Sequence, residues 1–253
     1  MRVILSCLSL AIFPGAAGSG GAGKPQAVAI DAGVQAGPIA PTSPEVRSLI
    51  ERMQRFYERT SDFTASFRQD YTYKSFNRTQ TSTGKVTFRK PAMMRWDYEK
   101  PSSKTFVLSG EKVYAYDPEA MTLTIAAIKS NELSAAVSFL WGVGKLEKEF
   151  SIASPPCANC KGVLLELTPR QQDPRFQRVR LEIDPKTAQV LKSVVVDPDG
   201  SENAITFSDL KTNQGTSKDF FKITPPADTQ IVDLTKNRQS PRATNGAPDA
   251  GVR

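Results

Sequence analysis

Cys157 and Cys160 stand three apart in SPPCANCKG, a spacing that suits a metal-binding or thioredoxin-like pair in a reducing compartment and a local disulfide in an oxidising one. Redox catalysis needs the first thiol at a helix N-terminus, where the dipole lowers its pKa. Here Pro155 and Pro156 come before it and a strand-like run, 162–167, comes after it, so the expectation is a structural disulfide that staples a hairpin. Its loop is short, which puts its stabilisation at or below the low end of the usual ~2–4 kcal/mol. The other reactive spacing is Asp97 and Glu99, two carboxylates at i, i+2 on one strand face. They point away from Trp96 and Tyr98, toward water, and an enzyme working through them is the weakest of the alternatives.

Composition removes most other chemistry. The chain contains no histidine, which excludes a Ser-His-Asp triad, a Cys-His dyad and a histidine zinc site. Its 26 acidic residues form no cluster with the character of a metal loop or a glycosidase pair, so no metal and no cofactor are expected. The balance of the sequence favours binding over catalysis.

Compartment decides between the two readings of the cysteines. Met1-Arg2, the apolar run 3–13 and the small residues Gly15-Ala16-Ala17 have the three regions of a secretory signal, so residues 1–17 are expected to be removed on export, Cys7 with them. The apolar run is about eleven residues, against the roughly 20 that a membrane-spanning helix needs. Residues 18–43 are rich in Gly, Ala and Pro and read as a disordered linker; 235–253 read as a disordered tail. That leaves one domain, 44–234.

The elements that carry this domain are legible from period and punctuation. Ser43 as N-cap, Pro44 at the first helical position and Glu45 in the first turn open a helix, and Val46, Leu49, Ile50, Met53, Phe56 and Tyr57 form its apolar stripe. Then the period switches to two. Phe63, Ala65, Phe67, Gln69, Tyr71 and Tyr73 alternate, as do 105–108, 112–116, 121–125, 163–167, 176–183, 190–196 and 204–210, separated by turns such as Ser109-Gly110, Asp117-Pro118 and Asp197-Pro198-Asp199-Gly200. About ten consecutive antiparallel strands are expected, in one large curved sheet that must curl toward a barrel or be covered on its concave side. A second helix over 131–142, with Leu133, Ala136, Val137, Leu140 and Trp141 on one stripe, is the candidate cover.

Residues 84–101, GKVTFRKPAMMRWDYEKP, give this sheet a greasy face. Val86 and Phe88 share one side, with Met94, Trp96 and Tyr98 after the corner at Pro91. Whether this face encloses a core or a ligand is left open by the residues themselves.

The order of helix, DFTASFRQ, GKVTFRKPAMMRWDYEKP, VLSGEKVYAYDPEAMTLTIA and DFFKITPPADTQIV resembles the LolA family, periplasmic carriers of outer-membrane lipoproteins. The resemblance covers nearly the whole domain through its basic-Pro corner, its SG-x-x-V-x-x-YDP turn and its F-x-[IF]-TPP ending. It implies an α+β, mainly β fold: a large curved antiparallel sheet forming an incomplete β-barrel covered by helices. It also implies a non-enzymatic, monomeric periplasmic carrier without nucleotide or metal. Such a carrier takes acylated lipoproteins from an inner-membrane ABC-type releasing complex and hands them to an outer-membrane receptor lipoprotein. The acyl chains would lie against Phe88, Met94, Trp96, Tyr98, Phe106, Leu108, Leu140 and Trp141. The family's functional arginine before the corner proline, linked to lid opening, falls on Lys90, with Arg89 beside it; lysine keeps the charge and loses the planar fork. A LolA-like module carrying another amphiphile, such as a glycolipid, or sensing mislocalised lipoproteins, is the alternative.

Net charge is +7, from 33 basic and 26 acidic residues, but the cations are scattered and the chain carries an export signal. No nucleic-acid partner is expected; attraction to anionic headgroups or an acidic docking surface is the more useful meaning of the charge.

Overall fold

The first helix forms where its caps place it. In the computed structural model, which describes residues 43–128 and 146–236, α1 (Pro44–Arg59) starts at Ser43, whose hydroxyl accepts from the Val46 amide at 3.4 Å. It ends where the Thr60 amide and hydroxyl both bond the Phe56 carbonyl. Its apolar stripe buries Leu49, Ile50, Met53 and Tyr57.

Twelve strands follow among the described residues: β1 (Asp62–Tyr73), β2 (Arg78–Arg89), β3 (Met93–Lys100), β4 (Lys104–Ser109), β5 (Lys112–Asp117), β6 (Thr122–Ala127), β7 (Phe150–Ala153), β8 (Val163–Pro169), β9 (Arg178–Ile183), β10 (Val190–Val196), β11 (Glu202–Thr212) and β12 (Gln230–Asp233). A four-residue helix, α2 (Leu146–Glu149), precedes β7. The turns between them close through short polar side chains: Asp117 accepts from the Glu119 and Ala120 amides, and Asp184 from those of Lys186 and Thr187.

The strands make one sheet in the order β12-β6-β5-β4-β3-β2-β1-β11-β10-β9-β8-β7, with β12 and β7 at its two edges, so the sheet is not closed. This corrects the expected run of about ten consecutive antiparallel strands in two ways. The sheet is two meanders welded in the middle, where β1 pairs β11 from Phe63↔Thr212 to Thr72↔Glu202. At the far edge β12 lies parallel to β6, Gln230↔Thr122 to Asp233↔Ile125. Both departures are pairings between distant segments, which local alternation does not encode. The expected second helix over 131–142 lies outside the described residues.

α1 crosses one face of the sheet, called inner below. Tyr57 packs edge-on to Phe63 of β1, with centroids 6.4 Å apart, and its hydroxyl accepts from the Val190 amide of β10 at 3.2 Å. Arg52 reaches the Pro185 carbonyl at 2.9 Å. The main core lies between this helix and strands on both sides of β1.

The outer face of β3 to β6 is covered by the segment that runs from β11 to β12. A single 3-10 turn, Lys218–Phe221, brings Phe221 into the structure, and Val107 and Leu123 are buried on that side. The segment is tied at its start by Asp62, whose carboxylate accepts from the Gln214 and Gly215 amides and from Ser61 and Thr216 hydroxyls. Burial opposes ionisation there, but the hydrogen bonds outweigh it and hold the carboxyl below the ordinary range. No helix of the described residues is long and apolar enough to cross a membrane.

Candidate functional site

Directly opposed residues in an antiparallel ladder share a face. Phe88, Met94 and Leu108 therefore form one row across β2, β3 and β4, and Val86, Trp96 and Phe106 form the next. β1 adds Phe63, Ala65 and Phe67 opposite Phe88, Val86 and Gly84. The outcome is an aromatic inner face, against which α1 packs at Phe63. Phe63 stacks on Phe88 at 5.1 Å, Phe67 meets Trp96 at 4.8 Å and Tyr98 at 5.0 Å, and Tyr98 meets Phe106 at 5.6 Å.

The sequence-derived lining residues thus divide by burial. Phe88, Trp96 and Phe106 are 0%, 6% and 7% exposed, while Met94, Tyr98 and Leu108 are half-buried on the same face. Leu140 and Trp141 lie outside the described residues. Gly84 lets β2 and β3 approach closely: a Cβ there would stand 2.0 Å from the Asp97 carbonyl oxygen, at a shift in register between the two strands.

One polar string runs through this apolar surface. Tyr98 donates to Gln69 at 3.0 Å, and Gln69 donates to Asn203 at 2.9 Å, with Gln69 and Asn203 both buried. Nothing in the local pattern around Asn203 marks it as part of the site. The one available signal was a glutamine in the inward phase of β1, since a buried amide must find partners.

Lys90 and Arg89 serve opposite faces. Lys90 donates from Nζ to the carbonyls of Tyr57 at 2.7 Å and Glu58 at 2.9 Å, at the negative end of α1, and its amide bonds Ser61. A lysine lacks the planar fork, yet its three donors suffice for two carbonyls here. Burial draws its pKa below the ordinary lysine value, against the pull of the Glu58 carboxylate. Arg89 pairs with Asp62 across the ladder and donates to the Thr216 carbonyl, fixing the covering segment on the outer face. The pairing of Arg89 with Asp62 keeps Arg89 on the outer face, away from the α1 carbonyls that Lys90 meets.

The remaining candidates have structural partners. Cys157 and Cys160 form a disulfide in the loop between β7 and β8, with Cα atoms 5.5 Å apart. Asp97, on the outer face, accepts from Arg95 at 2.8 Å and Thr105 at 2.9 Å; exposed Glu99 stands 4.0 Å from Lys85. Among the described residues no three His, Cys, Asp or Glu side chains are grouped to hold a metal ion. A shallow outer cleft of about 300 Å³ lies between Arg68, Lys85 and Thr206, with Phe67 and Gly84 also in its lining.

A family model described as outer membrane lipoprotein carrier protein LolA matches residues 58–224. An outer-membrane lipoprotein carrier protein of Methylobacillus flagellatus is 29% identical over 184 residues, covering 72% of this chain and 88% of that one. One of Xanthomonas campestris pv. campestris is 30% identical over 154 residues, covering 60% and 73%. Among solved structures, an uncharacterized conserved protein from Thermus thermophilus superposes with a TM-score of 0.48 at 14% identity, covering 74% of this chain and 98% of that one.

Proposed function

This chain belongs to the outer membrane lipoprotein carrier protein family LolA, and from that premise we propose that it binds the acyl chains of lipoproteins against the inner face of its sheet and shuttles them from the inner to the outer membrane. The observation that carries the reading is the continuous aromatic inner face, with α1 packed against it at Phe63, in a sheet whose edges stay open. Each buried methylene contributes about 0.8 kcal/mol, so acyl chains of roughly 14 to 18 carbons need an apolar container to cross water. Phe88, Trp96 and Phe106 form its floor. Met94, Tyr98 and Leu108, half-exposed beside them, are the positions an incoming chain meets first, and the thioether of Met94 suits exchangeable packing.

Release requires that the cover lift. Lys90 holds the last-turn carbonyls of α1, so detaching that contact frees one end of the helix from the corner between β2 and β3. The carrier performs no covalent chemistry in this scheme. The exported chain works in the periplasm, with residues 44–234 as the carrier domain; an inner-membrane ABC-type complex loads it and an outer-membrane receptor lipoprotein unloads it.

The test is lipoprotein release. Adding the purified mature protein to spheroplasts of its host is expected to bring acylated lipoproteins into the supernatant as soluble one-to-one complexes, and Met94→Glu is expected to cut the yield severalfold by placing a charge where the chains lie. Absence of release from a folded protein that still takes up a lipid probe would move the function to another amphiphile.

A further inference from the structure

The β1–β2 hairpin ends in KSFNR, and Phe76 at its tip is 79% exposed, the largest exposure among the big apolar side chains described. The tip is built, not frayed. Lys74–Phe76 form one 3-10 turn, Asn77 closes it in the left-handed region at φ 46°, and Thr72 and Thr79 bond across the strands at 2.9 Å. It also overhangs its neighbour: β2 pairs β1 from Arg78 onward, but its pairing with β3 begins only at Thr83. Arg78 to Ser82 therefore extend past the end of β3, a reach of roughly 15 Å at ~3.4 Å per residue.

An aromatic line leads to this tip along β1. Tyr71 and Tyr73 lie 4.6 Å apart, and Tyr73 meets Phe76 edge-on at 6.5 Å. Two exposed cations, Lys74 and Arg78, flank Phe76, and neither makes an ion pair with a described residue. The neighbouring turn offers two acids, both engaged: Asp197 accepts from Tyr71, and Asp199 from the Ser201 amide and hydroxyl.

We propose that the KSFNR tip is a membrane-contact finger that seats Phe76 in the interface of an anionic lipid surface, with Lys74 and Arg78 on the headgroups. A stable protein interface needs about 800 Å² from each partner, which one exposed ring on a two-stranded tip does not supply. Reversible interfacial contact is within the reach of an aromatic ring with cations beside it, because its strength is the sum of buried apolar area and attraction to anionic headgroups. The inference deepens the carrier reading by giving cargo transfer a point of contact with a bilayer.

The experiment is co-flotation of the mature protein with phosphatidylcholine vesicles, with and without phosphatidylglycerol. The parent is expected to bind the anionic vesicles preferentially and to lose that preference in high salt. Phe76→Ser is expected to bind them roughly tenfold more weakly, and Lys74→Gln with Arg78→Gln to abolish the anionic preference. Phe76→Trp is expected to show added fluorescence quenching by brominated acyl chains. Equal binding by parent and Phe76→Ser, no binding by the parent, or a Phe76→Ser defect confined to handover to a receptor protein would each overturn the proposal. Lipoprotein release from spheroplasts, measured on the parent and on Met94→Glu, tests the carrier reading separately from this outcome, since neither protein alters the tip.

Discussion

Replacing Lys90 with methionine removes both contacts that tie α1 to the corner after β2, and the size of the effect follows from their surroundings. A hydrogen bond from a charged donor contributes about 1.5–3 kcal/mol when shielded from water. The bond to the Tyr57 carbonyl is part-buried at 2.7 Å, and the bond to the Glu58 carbonyl is exposed at 2.9 Å. The first is worth about 1.5 kcal/mol and the second at most about 0.5 kcal/mol. Part of this is offset by the cost of burying the ammonium, the same cost that draws its pKa down. The net is about 1–2 kcal/mol, which raises the population with α1 detached by roughly 5- to 30-fold. Hydrogen exchange read on peptides covering Leu49, Ile50 and Met53 measures that population directly. Lys90→Arg, whose fork also reaches two carbonyls, is expected to exchange like the parent. Unchanged exchange in α1 of Lys90→Met would show that Lys90 is only a charge at a strand end and would refute the latch.

Two further perturbations test the frame around the site. Gly84→Ala places a Cβ 2.0 Å from the Asp97 carbonyl, so β3 must move, at a cost of about 1–3 kcal/mol in urea unfolding and with a changed environment for Tyr98. Asp62→Asn removes acceptors from the start of the segment covering the outer face and is expected to cost about 1–3 kcal/mol near neutral pH. Because the native carboxyl titrates below its ordinary value, its contribution is complete above the unfolded-state pKa and disappears as pH falls through the native one. The stability gap between parent and Asp62→Asn should therefore narrow in acid, and a gap independent of pH would assign the effect to packing.

Features set by neighbouring residues were legible in the sequence. Ser43 and Pro44 start α1 because a cap and a fixed φ act within one turn, and Asp117 and Asp184 close their turns through their own next amides. The inward phase of Phe63, Phe67, Phe88, Met94, Trp96 and Tyr98 also followed from alternation alone. What escaped depends on distant partners. The weld of β1 to β11, the parallel return of β12 and the buried Tyr98–Gln69–Asn203 string each need a segment more than a hundred residues away to be in place. The two bonds of Lys90 span only 33 and 32 residues, yet they too escape local pattern, since the α1 carbonyls it meets come from an element whose packing against the sheet fixes the distance.

Cargo on the inner face is the central claim, and adjacent residues of β3 offer the most direct comparison. Met94 points inward opposite Phe88, and Arg95 points outward, with its guanidinium 4.9 Å from the Phe220 ring. A photo-crosslinking amino acid placed at 94 or at 95, followed by illumination in the presence of spheroplast-derived lipoproteins, is expected to give acyl-linked adducts from position 94 and none from 95. Equal adducts from both positions, or adducts from 95 alone, would contradict it.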